Sequence, residues 1–282
     1  MSDRLQDHVA IITGATSGMG LTTAELFVAH GAKVLLAARR EEKGNALAER
    51  LGENAHFIRI DVTSEADIEA MVGSPMEIWG RVDSLFNNAS SGSPGTPIDE
   101  MAFETFQSAM DLQAGSVLLG IKHVVPIMKK QGGGSIINNA SIAGVGVGYG
   151  SMLYSAGKAA VIHMTRCLAI ELGEFGIRLN CISPGGVMTP IFLGPAQEKM
   201  TDEETEAAVQ RLAAVYDKNI PTGRAGTPDD IGHTAVFLAS NESRHISGEN
   251  IIVDAGTSLG RNKQYQAQWA QWRMEAMFED KA

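Results

Sequence analysis

The chain has 282 residues, 44% of them hydrophobic, and a formal net charge of −10: enough apolar mass for one large α/β core, and the wrong sign for nucleic acid or an anionic membrane surface. Its two cysteines, Cys167 and Cys181, sit in apolar runs with no C-x-x-C or metal-ligand spacing, so buried thiols in a reducing, cytoplasmic setting are expected rather than a disulfide scaffold. No apolar stretch is long and unbroken enough to span a bilayer, and the first apolar run enters a glycine loop within a few residues, so no secretory leader is expected.

That first run, residues 9–12, leads into Thr13-Gly14-Ala15-Thr16-Ser17-Gly18-Met19-Gly20 and then an Ala/Leu/Phe-rich segment ending at Gly31. The pattern reads as strand, tight turn and helix, the opening unit of a nucleotide-binding sheet. One glycine permits a sharp turn with φ > 0, one lets the main chain approach a phosphate, and one lets the helix pack closely on the strand. The free N–H groups of the helix N-terminus then face the anion. The order G-x-x-x-G-x-G differs from the common G-x-G-x-x-G, so an ordinary glycine-rich turn stays open at this point.

Apolar runs at 34–37, 57–60, 82–86, 135–138, 178–182 and 251–253 follow, alternating with helical patterns. Seven buried strands alternating with helices predict a parallel sheet covered on both faces, a single doubly wound Rossmann-type domain over residues 1–260. No linker, internal repeat or low-complexity segment divides it. Ligands of such sheets bind beyond the carboxyl ends of the strands, which directs attention to the residues just after each run.

After the second run comes Ala37-Ala38-Arg39-Arg40, with no acidic residue to accept a ribose 2′-hydroxyl. A guanidinium there pairs with a 2′-phosphate, which favours NADP(H), with Arg39 the first candidate and Arg40 the second. NAD(H) stays open because Ser17 adds no second cation, and so do two solvated arginines starting a helix. After the third run, Asp61 and Val62 are placed to meet an adenine, although Asp61 also suits a helix cap. After the fourth, Asn87-Asn88-Ala89-Ser90 offers amides that tie strands and small residues, Ala89 among them, against which a cofactor can lie; a plain Asx turn fits too.

Past the fifth run stands Ser141, followed by Tyr154 and Lys158 at i and i+4, which puts both side chains on one helix face. An ammonium beside a phenol stabilises phenolate and draws its pKa down from about 10, making Tyr154 a general acid/base. A lone Y-x-x-x-K is common, but the serine upstream and the Pro-Gly loop downstream give it context.

The glycine loop, Asn87 to Ser90, Ser141, the run from Tyr154 to Lys158, and Ser183-Pro184-Gly185-Gly186-Val187-Met188-Thr189, in this order and spacing, resemble the classical short-chain dehydrogenase/reductase family over roughly residues 6–256. The resemblance implies hydride exchange between a nicotinamide and a small secondary alcohol or its ketone. It implies that Tyr154 exchanges a proton with the substrate oxygen, Ser141 hydrogen-bonds that oxygen, and Lys158 holds the nicotinamide ribose and lowers the phenol pKa. Gly14, Ser17, Gly18, Met19, Gly20, Asn88 and Ala89 would cradle the cofactor, with Pro184, Gly185, Val187 and Thr189 at its nicotinamide end. A homo-oligomer, dimer or tetramer, is implied as well.

Two positions depart from the family pattern. Ser90 stands where glycine is usual, and a gapless register from Lys122 and His123 puts Gln113 where a catalytic asparagine is usual, with Asp111 the nearest polar substitute. The competing reading is a cofactor-binding regulatory or scaffold protein, against which the retained Ser141, Tyr154 and Lys158 argue. The segment 188–221 carries Ile191, Phe192, Leu193, Met200 and Tyr216 with few cations, which fits a neutral apolar substrate such as a terpenoid, steroid or aromatic alcohol. An acidic acyl carrier fits the net charge poorly.

His30, His123 and His163 lack ligand spacing, so no metal is expected, and the acidic runs at Glu41 and at 202–206 read as solvated helix starts. The tail, residues 261–282, places Tyr265, Trp269, Trp272 and Ala276 on one helical face. That face is expected to bury itself on its own or a neighbouring subunit, as a staple or as a gate to the substrate entrance.

Overall fold

A computed structural model describes residues 3–260 and 263–278. Its strands are β1 (Val9–Thr13), β2 (Lys33–Ala38), β3 (Ala55–Arg59), β4 (Ser84–Asn87), β5 (Gly134–Asn139), β6 (Ile177–Pro184) and β7 (Asn250–Val253). They form one parallel seven-stranded sheet in the order β3-β2-β1-β4-β5-β6-β7. The chain moves outward from β1 in one direction, then returns to β4 and proceeds in the other, so the order reverses between β1 and β4. A crevice opens there at the carboxyl ends of the strands.

The helices are α1 (Gly18–Ala29), α2 (Glu41–Leu51), α3 (Glu65–Ile78), α4 (Phe103–Met110), α5 (Ser116–Gln131), α6 (Met152–Gly173), α7 (Asp202–Asp217), α8 (Pro228–Ala239) and α9 (Lys263–Phe278). Strand alternation sorts the core into two layers. Ala10, Ile12, Val34 and Leu36 pack with Phe27 of α1 and Ile231 and Val236 of α8. Ile11, Leu35, Leu85 and Leu179 turn the other way, onto Met71 of α3, Val124 of α5 and Leu172 of α6. Each of the larger of these side chains contributes about 1.5–3 kcal/mol on burial, and with both faces covered by helices the strand ends are what is left open for chemistry.

Two expectations change. The fourth strand starts at Ser84 rather than at 82, because the Val82 N–H and C=O are both taken by the side-chain amide of Gln131, at 2.9 and 2.8 Å. Asp83 then accepts the Val9 N–H at 2.9 Å and leads into the ladder. Cys167 is exposed on α6, and only Cys181 is buried. On α9, Trp269 and Trp272 are 48% and 49% exposed, with the Arg273 guanidinium 5.7 Å from the Trp269 ring centre. The side chains of Tyr265 and Ala276 lie outside the described residues.

The acidic runs do start helices. Asp202, Glu203 and Glu204 form the first turn of α7, where Thr201 and Glu204 make a reciprocal capping box. Among the described residues no helix is long and apolar enough to cross a membrane.

The fold depends on one close approach. Gly14 and Gly18 have φ of +67° and +52°, and a Cβ at Gly20 would run into the carbonyl oxygen of Gly14. Gly20→Ala is therefore expected to push α1 away from the end of β1 and to destabilise the protein by about 1–3 kcal/mol, measured by urea unfolding.

Candidate active site

Everything at the crevice starts from how β1, β4 and β5 end. Past β1, Gly14 N–H donates to Ala37 O at 2.8 Å, which turns the loop toward β2. Past β4, Asn88 Nδ2 donates to Thr13 O at 2.9 Å, and Thr13 Oγ1 accepts the N–H groups of Asn88 and Ala89 at 2.9 and 3.0 Å. Asn139, at the end of β5, donates from Nδ2 to Asn88 Oδ1 at 2.9 Å. One residue earlier on both strands, Asn87 Nδ2 donates to Asn138 Oδ1 and Asn138 Nδ2 to Thr165 Oγ1 of α6, each at 2.9 Å. Thr165 Oγ1 in turn lies 3.0 Å from Cys181 Sγ, a thiol that burial pushes up to about 11. Two buried amide chains thus lock three strand ends and one helix together.

Sequence reasoning found Asn88 but missed Asn138 and Asn139. The signal was present: Asn87-Asn88-Ala89-Ser90 recurs as Asn138-Asn139-Ala140-Ser141, a short repeat on neighbouring strands, with Asn87 opposite Asn138 in the ladder.

At the end of β2, Arg40 rather than Arg39 lies across the glycine loop. Its guanidinium donates to Thr16 Oγ1 at 3.0 Å and Ser17 Oγ at 2.7 Å. Burial lowers its pKa, opposed by the charge of Asp202 from α7. Arg39 is exposed, and its charge helps hold the Asp61 carboxyl below its ordinary value, after the backbone and side-chain bonds from Thr63. Those bonds make Asp61 an Asx-turn acceptor, with Thr63 N–H at 2.9 Å and Oγ1 at 2.7 Å, and leave the capping of α3 to Ser64. Val62 is half-buried beside it.

Lys43 of α2 donates to Asp202 at 2.7 and 3.0 Å. That ion pair carries the start of α7 across to the β2 side of the crevice, which no reading of local sequence revealed.

Ser141 and Tyr154 face each other from two elements that their own caps fix. Ser141 Oγ accepts Ala143 N–H at 3.1 Å, and Ser151 Oγ accepts Tyr154 N–H at 3.4 Å to start α6. Burial raises the Tyr154 phenol above its ordinary value, and the hydrogen bond with Ser141 takes back part of that rise. This reverses the expected direction. Lys158 Nζ lies 5.6 Å from the Tyr154 ring centre and donates to Asn139 O at 2.8 Å, so desolvation rather than the ammonium decides the phenol. Lys158 itself is 2% exposed, and burial pushes its pKa down to about 8.

Pro184 ends β6, Gly185 lies against Asp254, and the Val187–Gly226 bridge with Met188 N–H on Gly226 O at 2.9 Å folds this segment back over the crevice. Thr189 lands beside Gly18. It is 4% exposed, and its Oγ1 is buried without a partner. Met19 lies near Asn139, its Sδ 4.0 Å from Nδ2. An unpaired buried hydroxyl next to a glycine loop at a helix N-terminus fits a dinucleotide threaded between them. Gln113 sits in a single π-helical turn, Asp111–Gly115, between α4 and α5, with its carboxamide turned to Ser90 and Ser91.

Among the described residues no group of three His, Cys, Asp or Glu could hold a metal; His123 Nε2 instead meets Glu65 at 3.0 Å. Over the site, Phe192 and Tyr216 meet edge to face at 5.5 Å, and Met188, Ile220 and Ala225 form a small apolar cluster with Val209 and Leu212.

A family model described as enoyl-(acyl carrier protein) reductase matches residues 14–258. The chain is 40% identical to momilactone A synthase of Oryza sativa subsp. japonica, over 91% of this chain and 92% of that one. It is 37% identical to (+)-borneol dehydrogenase 2 of Salvia officinalis, over 90% of each. A crystal structure of a short-chain type dehydrogenase/reductase from Mycobacterium marinum superposes with a TM-score of 0.80 at 29% identity, covering 92% of this chain and 98% of that one.

The buried lysine makes stability depend on pH. Its ammonium titrates near 8 in the folded chain and near 10.5 when unfolded, so between these values the unfolded state holds more protons and stability rises with pH. From pH 7 to 9.5, the wild type is expected to gain about 2 kcal/mol relative to Lys158→Met, read as the difference in urea unfolding free energy at the two pH values.

Proposed function

This chain belongs to the classical short-chain dehydrogenase/reductase family and is a nicotinamide-dependent alcohol oxidoreductase, and on that footing we propose that it interconverts a neutral, apolar secondary alcohol and its ketone with NADP(H). The observation that carries the reading is the convergence of Ser141, Tyr154 and a fully buried Lys158 at the carboxyl end of β5. When bound, the nicotinamide supplies the hydride acceptor or donor.

The residues of the chain manage the proton. Tyr154 Oη gives its proton to the carbonyl oxygen in reduction and takes it back in oxidation, and Ser141 Oγ donates a hydrogen bond to the same oxygen. Burial raises the phenol above its ordinary value, which favours the protonated form that reduction draws on. Lys158, anchored on Asn139 O, holds the cofactor ribose. Gly14, Ser17, Gly18, Met19 and Gly20, with Asn88 and Ala89, carry the pyrophosphate side, Asp61 and Val62 the adenine, and Pro184, Gly185, Val187 and Thr189 the nicotinamide.

The preference for NADP(H) is supported by Ala38, which ends β2 without a carboxylate, and by the cations Arg39 and Arg40 that follow it. An apolar substrate is supported by Met188, Phe192 and Tyr216 in the covering segment and by relatives named for momilactone A and borneol. The net charge of −10 argues against an acidic acyl carrier as partner. We place the protein in the cytoplasm, as two free thiols suit a reducing compartment. We assign the tail, 261–282, to packing on a second copy in a homodimer or homotetramer, which the half-exposed Trp269 and Trp272 support.

Tyr154→Phe keeps the ring and removes the proton, so turnover of a carbonyl panel with NADPH is expected to fall by about 10²–10⁴ while cofactor binding, followed by fluorescence, persists. Near-normal turnover would overturn the mechanism. Ala38→Asp sets a carboxylate against the 2′-phosphate, so the ratio of NADPH to NADH affinity is expected to drop by tenfold or more. A wild type that already binds NADH better refutes the assignment of NADP(H).

A further inference from the structure

We propose that Gln113 is a positioning residue that couples the loop after β4 to the helix bearing Tyr154 and Lys158, with Ser90 as its partner in that task. The functional part of this inference rests on the assignment of Tyr154 as the proton-transferring group. Gln113 is 1% exposed and lies at the middle of the π-helical turn, where the extra residue swings a side chain out of the regular helical path. Its stem fills a gap in α6: a Cβ on Gly157 would meet Gln113 Cβ at 2.5 Å. Gly157 falls between Tyr154 and Lys158, so Gln113 packs directly against the stretch that carries both.

The far end of the same side chain is committed to the loop. Ser90 Oγ donates to Oε1 at 2.7 Å, and Nε2 donates to Ser91 O at 2.7 Å. Further along the loop, space is open on the side-chain faces of Gly92 and Gly95. One side chain therefore fixes how far Ser90 and Ser91 stand from the catalytic helix.

The recurring Asn-Asn-Ala-Ser run shows the same logic twice. Asn87 and Asn138 are opposite one another, and three residues past each stands a serine; Ser141 bonds Tyr154, and Ser90 bonds Gln113. Both serines reach a group on or against α6. The loop after β4 lies at the carboxyl edge beside Ser141, so its position shapes the space in which the substrate sits.

Hydrogen exchange of the NADPH-bound enzyme, followed by mass spectrometry, tests this with Ser90→Gly, Gln113→Asn, their double variant and Ser90→Thr. Each of the first two is expected to speed exchange across residues 88–97 about tenfold with α6 unchanged, the double to do no more than the larger single, and Ser90→Thr, which keeps the hydroxyl, to match wild type. For whichever carbonyl of a panel the wild type reduces, kcat/KM of Gln113→Asn is expected to fall about tenfold, mostly through KM. Unchanged exchange over 88–97, additive effects in the double, or a loss confined to kcat with a displaced pH profile would each overturn the proposal; the last would instead make Gln113 part of a proton path. Ser90 is only partly buried, so Ser90→Gly keeps the test available if Gln113→Asn fails to fold. Activity in Tyr154→Phe would sink the catalytic assignment alone, because the exchange measurements do not depend on it.

Discussion

Where parallel strands end, their ladder bonds end too, and at the middle of this sheet side-chain amides take over. Asn88 and Asn139 join β1, β4 and β5, while Asn87 and Asn138 join β4, β5 and α6. Removing one amide would leave its partner buried and unpaired, at about 1–3 kcal/mol for each group, so these bonds are far costlier to lose than their net contribution suggests. The glycine loop hangs from one chain through Thr13. The helix bearing Tyr154 and Lys158 hangs from the other through Thr165, and Lys158 is seated on the carbonyl of Asn139. The glycine loop and that helix are held in one frame by the same few bonds.

That frame supports groups the fold alone would reject. A fully buried ammonium and a phenol raised by burial both oppose stability, and Thr189 keeps a hydroxyl without a partner. Such costs are tolerable because two large apolar core layers, one on each side of the sheet, supply the stability against which they are set. Thr189 Oγ1 lies against Gly18 of the glycine loop, where a polar group of a bound dinucleotide would supply the missing partner.

Much of this was legible in the sequence. The seven strands, the parallel sheet they form, the three glycines and the Tyr154–Lys158 face follow from periodicity and spacing, which are local, while the order of the strands does not. What was hidden depends on contact between distant segments. Cys167 lies in an apolar run, yet faces outward on α6. Val82 looks like strand, but Gln131 claims its backbone from 49 residues away. The lysine was expected to lower the phenol pKa, but burial, which spacing does not reveal, sets the direction. Ser90 and Gln113 looked like two separate departures from a family pattern; folded, they bond to each other.

The floor and the cover of the crevice are held by different kinds of force. The floor uses amide bonds out of water, which salt does not screen. The cover is tied to the β2 side by Lys43 and Asp202, whose side chains are 46% and 85% exposed, and an ion pair in that setting competes with solvent and counterions at every moment. Its inner surface is a small apolar cluster around Met188, Ile220 and Ala225, separate from the two main core layers. The cover meets the floor at Thr189 against Gly18 and at Tyr216 against Gly186, so changes there reach the glycine loop and the end of β6, as changes at the strand ends do. Under the proposed function, specificity would sit in the apolar part of the cover, around Phe192 and Tyr216, and reactivity in the asparagine-bound floor.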